Sequence, residues 1–207
     1  MTCGFMVVRK PPENFSLAAS GIWPKTAPRI GMLYYAGAWR MPWHDIDLEL
    51  YGGTLPNNLR ELYRTNVTDL QGSGFSLCKD LGLAIKFLEY CNRETFRCEL
   101  IAVYSPRLAE LKGTIDVADD LLRHLGWDPI QIGGGPLLVD NGIFTVPDLF
   151  PTWRERLNEN GLLASAEEAL QYVSNYLQLV EAKLIEEIYP TDSNPIEPIR
   201  VFSVRTD

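Results

Sequence analysis

The sequence predicts an α+β fold: one domain, 1–207, with a mixed or antiparallel sheet packed with about four helices. Three observations carry that expectation. CELIAVY at 98–104 is almost continuously apolar, as a strand buried on both faces is. Ser165 followed by Glu168 forms a capping box ahead of Leu170, Val173, Leu177, Val180 and Leu184 at helical spacing. Asn141-Gly142 between apolar runs signals a hairpin, because a type I′ turn needs positive φ at both central residues. With 207 residues, 46 % hydrophobic and 22 % charged, the chain has ample material for a core and shows no internal repeat.

In chain order, residues 5–8 read as a first strand before Pro11-Pro12. Residues 13–28, rich in small residues and prolines, read as an irregular cover, and GMLYYAGAW at 31–39 as a buried strand or a helix, between which periodicity alone does not decide. In 44–50, strict alternation puts Ile46, Leu48 and Leu50 on one strand face and Asp45, Asp47 and Glu49 on the other. Residues 57–64 suggest a short helix and 67–75 a loop. A helix starting near Ser76 carries Leu77, Leu81, Ala84, Ile85 and Leu88, with Gly82 costing about 1 kcal/mol and marking close packing. Pro106 ends the 98–104 strand. Val117, Leu121, Leu122 and Leu125 recur at helical spacing, with acids early and Arg123 and His124 late, where each suits the helix dipole. Gly126 and Asp128-Pro129 stop that helix, and a short strand follows at 130–132. Trp153 and Leu157 suggest another short helix, ended by Asn160-Gly161. The capping-box helix runs to about Ile188, and Ile199, Val201 and Phe202 suggest a last strand.

The net charge of −8 is unevenly spread. Residues 1–109 hold 12 basic and 10 acidic side chains, a balance of +2; residues 110–207 hold 7 and 17, a balance of −10. That acidity disfavours direct nucleic-acid binding and suits a cationic partner. No apolar run reaches the roughly 18 to 20 residues of a membrane span, and the N-terminus lacks signal-peptide features. Cys3, Cys78, Cys91 and Cys98 lack CxxC spacing. Cys78 and Cys91, placed on one helix, would lie ~20 Å apart, too far to bridge. Reduced, buried thiols in a cytoplasmic protein are therefore expected.

The richest constellation is the acidic strand face. Carboxylates two residues apart on a strand lie roughly 7 Å apart, too far for both to grip one small ion unaided. Asp45, Asp47 and Glu49 instead suit the arginines of a partner, with Trp43 beside them as an aromatic anchor. Asp119 and Asp120 make a second acidic patch. His44 and His124 are the only histidines, and neither sits in a nucleophile or zinc motif. The glycines at 133–135 lead to another extended piece rather than a helix, so they are not a phosphate loop. No catalytic residue, cofactor or metal site is read from the sequence.

Leu125-Gly126-Trp127-Asp128, Asn141-Gly142-Ile143-Phe144, Trp153, and Leu157-Asn158-Glu159-Asn160-Gly161-Leu162 together resemble small bacterial proteins of toxin–immunity loci. The resemblance covers about the middle quarter of the chain and brings no active site with it. It implies an intracellular inhibitor that docks on a toxin and blocks it. The charge distribution, not the resemblance, suits a basic target and points to Asp45, Asp47, Glu49, Trp43, Asp119 and Asp120 as the contact. The rival readings are a small metal-assisted hydrolase using His44 with Asp45, Asp47 and Glu49, and a structural subunit with an exposed aromatic face at Trp39 and Trp43.

Overall fold

The computed structural model describes residues 1–9, 67–69, 76–93, 98–131, 137–138, 147–158, 160–186 and 195–206. In chain order its strands are β1 (Gly4–Arg9), β2 (Val67–Asp69), β3 (Ser76–Cys78), β4 (Cys98–Tyr104), β5 (Leu122–Gln131) and β6 (Ile196–Val204). Its α-helices are α1 (Leu81–Arg93), α2 (Pro106–Lys112) and α3 (Ala166–Glu181). The strands form one sheet in the order β2-β3-β1-β4-β6-β5, every pair antiparallel. The class is thus α+β as expected, with an antiparallel sheet and three rather than about four α-helices among the described residues. Residues 13–28, 31–39, 44–50, 57–64, 133–135 and Asn141-Gly142 lie outside the described residues.

β4 occupies the interior that its apolar run demands. Leu100 and Ala102 point one way along it and Ile101 and Val103 the other, and all four are buried. β1 runs beside it from Gly4 opposite Val103 to Arg9 opposite Cys98, and β6 lies on its other side. α1 packs against β1, β3 and β4, and α3 against β5 and β6. Over α3 the core is aromatic: Phe150 stacks on Tyr172 at 5.1 Å, and Trp153 meets the same ring edge-on at 5.2 Å.

Several helix expectations give way to extended structure. Ser76 to Cys78 is strand, paired with β1 and β2, so Cys78 shares no helix with Cys91. Val67 to Asp69 is strand rather than loop. α1 begins only after Asp80, whose Oδ1 accepts from the Leu83 N–H at 2.9 Å. Gly82 is exposed and not closely packed; a Cβ there would meet only the Asp80 carboxylate, at 3.3 Å. Pro106 does more than end β4: it opens α2 with Ser105 as N-cap, a pairing in which proline loses no needed donor.

The largest correction concerns 117–125. Asp119–Leu121 is a single 3-10 turn, and β5 then runs straight through Gly126, Asp128 and Pro129. The register of β5 against β6 shifts between His124 and Gly126, a bulge that breaks the period-2 pattern and leaves leucines at helix-like intervals. Pro129 sits directly opposite Pro198. Two residues without an N–H can face each other only where the ladder needs no bond between them. Trp153 and Leu157 likewise belong to no α-helix; they flank a 3-10 turn at Arg154–Arg156.

α3 stops sooner than its leucine pattern suggests. Lys183 takes φ 57, its N–H bonds to the Val180 carbonyl at 2.9 Å, and the Leu184 N–H reaches Leu179 O at 2.9 Å. These are the two bonds of a Schellman stop, built on a lysine where glycine is usual. Replacing Lys183 by Gly should raise stability by about 1 kcal/mol, because glycine enters the left-handed region without strain; urea denaturation reads the change. The opposite outcome is expected at Gly126, with φ +147 and a would-be Cβ at 2.6 Å from Leu162 Cβ and 2.9 Å from Leu163 O. Gly126→Ala should cost about 2 to 4 kcal/mol by overpacking and backbone strain, visible as a lowered denaturation midpoint.

Candidate functional site

Of the six residues proposed to meet a partner, the described part of the structure holds Asp119 and Asp120. Asp45, Asp47, Glu49 and Trp43, with His44 and Trp39, lie outside it. Asp119 and Asp120 form the first turn of the 3-10 element, closed by the Leu121 N–H to the Ala118 carbonyl at 3.0 Å. No side chain is buried in that turn, and both carboxylates are exposed. The turn is held from below: the Arg205 N–H bonds to Leu121 O at 2.9 Å, extending the contact between β5 and β6 by one step.

Beside this turn the surface changes sign. Arg123 and His124 are exposed on β5, and Arg200 and Arg205 are exposed on β6 or just after it. The guanidinium of Arg200 lies 4.9 Å from the Phe202 ring centroid and 6.0 Å from that of Trp127. His124 completes the group, edge-on to Phe202 at 5.7 Å and to Trp127 at 6.1 Å. Arg123 and Arg205 thus adjoin the acidic turn, while the Arg200 cluster lies further along the strand pair, opposite Trp127. Sequence reasoning missed this cluster because it placed His124 at a helix C-terminus. On a strand, with the bulge after it, His124 and Trp127 come to lie across from Phe202 and Arg200.

The same correction changes the charge of His124. Burial, then the neighbouring Arg200, lower its pKa below the ordinary 6.5, and the Gly126 backbone bond offsets part of that. A second polar group joins Ser105 and Glu197. Ser105 Oγ donates to Glu197 Oε1 and accepts from the Leu108 N–H at 3.0 Å. Burial raises the Glu197 pKa, against the Ser105 bond, the Arg107 and Leu108 N–H groups and the Arg107 charge. With its proton committed to the carboxylate and its oxygen to the helix cap, Ser105 is a structural hydroxyl rather than a nucleophile. The Lys79 ammonium reaches the Cys3 and Gly113 carbonyls, tying the start of β1 to the end of α2. Cys3, Cys78 and Cys98 are free and buried, and burial raises the pKa of Cys3 and Cys78, keeping them as thiols.

Two segments singled out in the sequence are in contact. Asn158 Nδ2 and Asn160 Nδ2 both donate to Leu125 O, at 2.7 and 3.1 Å. Asn158 Oδ1 accepts from the Asn160 and Leu162 N–H groups at 2.9 and 3.2 Å. The Asn158-to-Leu162 turn is thus a clip on the β5 bulge. Near it, between α1 and the ends of β4, β5 and β6, lies a cavity of about 360 Å³ reached by Asn92, Glu99, Arg123, Asn160 and Ser203. Among the described residues no group of three or more His, Cys, Asp and Glu side chains is placed to hold a metal ion. No helix among them is long and apolar enough to cross a membrane.

The His124 assignment is testable by NMR titration of its ring. Its folded pKa lies below the unfolded value, so the unfolded chain takes the proton first. Its contribution to stability is therefore in place above pH 6.5 and is lost as the pH falls through the folded value. Arg200→Gln should move the His124 midpoint upward, and an unchanged midpoint would show that the guanidinium is not a cause. Comparison with protein-family models, with curated proteins and with solved structures finds no match to this chain.

Proposed function

We propose that the protein is a non-catalytic binding protein, an intracellular immunity-type inhibitor that docks on and blocks a cognate toxin or another basic protein. The observation that carries this reading is the Asp119–Leu121 turn, which presents two adjacent carboxylates to solvent with neither bent back into the fold. Carboxylates held on a short, backbone-closed turn lose little freedom when an arginine fork meets them, which favours binding. The −10 balance of residues 110–207 adds a long-range attraction that speeds encounter with a cationic surface. Asp45, Asp47, Glu49 and Trp43 form the other half of the proposed contact. The exposed arginines beside Asp119 and Asp120 favour a partner whose basic surface is bounded, since like charges would meet across the rest of the face.

The test is native capture with the full chain as bait, followed by mass spectrometry, at low and at high salt. The expected result is one stoichiometric, basic partner that is released by salt. Reversing the pair, Asp119→Lys with Asp120→Lys, should weaken that partner's binding by roughly tenfold, mostly through a slower association rate. Absence of a partner at both salts, or binding untouched by the reversal, would overturn this reading.

A further inference from the structure

α3 is apolar over a wider arc than its packing uses. At about 100° per residue, with Ala169 set at zero, Tyr172, Tyr176, Val180 and Val173 fall within about 60° either side. Ala169, Tyr172 and Tyr176 are buried, and Val173 and Val180 half-buried, which is the face against β5 and β6. Leu177 and Leu170 follow at about 80° and 100°, yet they are 38 % and 57 % exposed. They sit two turns apart on one line, next to half-buried Val173 and Val180, so together these four continue the core's apolar surface into solvent. Single exposed leucines need no explanation, whereas an aligned pair joined to the core is the start of a packing seam.

Charge specifies what the seam accepts. Ala166–Glu181 contains no lysine or arginine, and beyond the leucines the wheel carries Glu181, Ser174 and Glu167, with both carboxylates exposed. Arg156 reaches the helix at Gln171, on the far side of Glu167 from the leucines. A second copy of α3 laid on the seam would bring glutamate against glutamate in either direction, with no cation from either helix between them. A helix carrying lysine or arginine beside its apolar stripe would meet complementary charge at both ends of the seam, on Glu167 and Glu181.

We propose that the Leu170–Leu177 shoulder of α3 is a docking surface for a basic amphipathic helix of the protein partner. This inference rests on the reading of a basic partner and names the element of that partner that is recognised. The helix would lie along α3, its leucine-like side chains between Leu170, Val173, Leu177 and Val180 and its cations on Glu167 and Glu181.

The first probe is a synthetic peptide with leucine at heptad a and d positions and lysine elsewhere, compared with a scrambled peptide of the same composition. With the full chain, amide shifts on titration should cluster at Leu170, Val173, Leu177 and Glu181, and the scrambled peptide should bind at least about tenfold more weakly. Leu170→Ser with Leu177→Ser, both exposed, should leave the thermal midpoint near the parent's and cut peptide affinity by about tenfold or more. Equal binding of the scrambled peptide, or shifts centred elsewhere, would overturn the proposal. So would a parent dimer in sedimentation that the double variant dissolves, because the seam would then be a self-interface. The captured partner separates this idea from the earlier one. A partner weakened by Asp119→Lys with Asp120→Lys but indifferent to the leucine variant sinks the α3 surface and leaves the inhibitor reading standing. Peptide binding at the seam with no captured partner upholds the surface and removes the inhibitor.

Discussion

The backbones of Trp127 and Leu163 exchange two hydrogen bonds, 2.9 Å from Trp127 N to Leu163 O and 3.0 Å in return. This bridge lies on the outer side of β5, where the strand would otherwise present its polar groups as an open edge. Residue 126 must have no side chain for it to form, since a Cβ there would strike Leu162 and the Leu163 carbonyl. The bulge turns the strand, Asn158 and Asn160 seize the Leu125 carbonyl, and Leu163 is laid alongside. Only two residues later Ser165 caps α3, so the seal also fixes where that helix begins. The Glu168 N–H bonds Ser165 Oγ at 3.1 Å, while its own carboxylate accepts from the Ala164 N–H at 3.0 Å rather than from the cap residue itself. The position of α3 on the sheet therefore descends from one glycine.

What was legible in the sequence follows the same logic. Elements written in one local code came through: β4 as an apolar run, β1 and β6 as short apolar strands, the start of α3 as a capping box. β5 did not, because two periods compete in it. Leu121, Leu122 and Leu125 fit a helix, and the alternation that argues for a strand is interrupted by the bulge. Gly126 is a natural stop in one reading and a bulge residue in the other, and nothing local tells them apart. The partner segment that decides, residues 158–163, is more than thirty residues away in the chain. The end of α3 was missed for a different reason. Its stop is a Schellman turn on Lys183, so the glycine by which such stops are recognised is not there. Glu186, which a helix running to Ile188 would hold near its C-terminal end, lies past the stop, and Glu181 holds that unfavourable place instead.

The candidate site was legible in its charge and not in its neighbours. Asp119 and Asp120 were expected on a helix and lie on a 3-10 turn, exposed in either case, because polar residues flanking a strand reach solvent whatever the local geometry. The Arg200, Phe202, His124 and Trp127 cluster was invisible, since cross-strand pairing between β5 and β6 creates it from residues that are remote in sequence. That pairing also decides the histidine's protonation. Beside Arg200 and against two rings, the imidazole is cheaper to keep neutral than charged, the reverse of what a helix C-terminus would impose.

Acid should therefore act on the two ends of β6 in opposite senses. At Phe202 the neighbouring His124 resists protonation, and its stabilisation fades as the pH drops through its depressed folded value. At Glu197 the pKa is raised above 4.5, so the folded state takes that proton before the unfolded chain does. The Glu197 contribution is present below its unfolded value and is lost as the pH rises through the folded one. The carboxyl group is held in a half-buried place because it supports the cap of α2 through Ser105 and faces the Arg107 and Leu108 N–H groups. Its hydrogen bonds offset a desolvation cost that no apolar side chain would incur, yet such a side chain could not satisfy the Ser105 hydroxyl. The arrangement joins the strand that organises β4 and β5 to the helix that follows β4. A carboxyl group persists there because it satisfies polar groups of two elements at once.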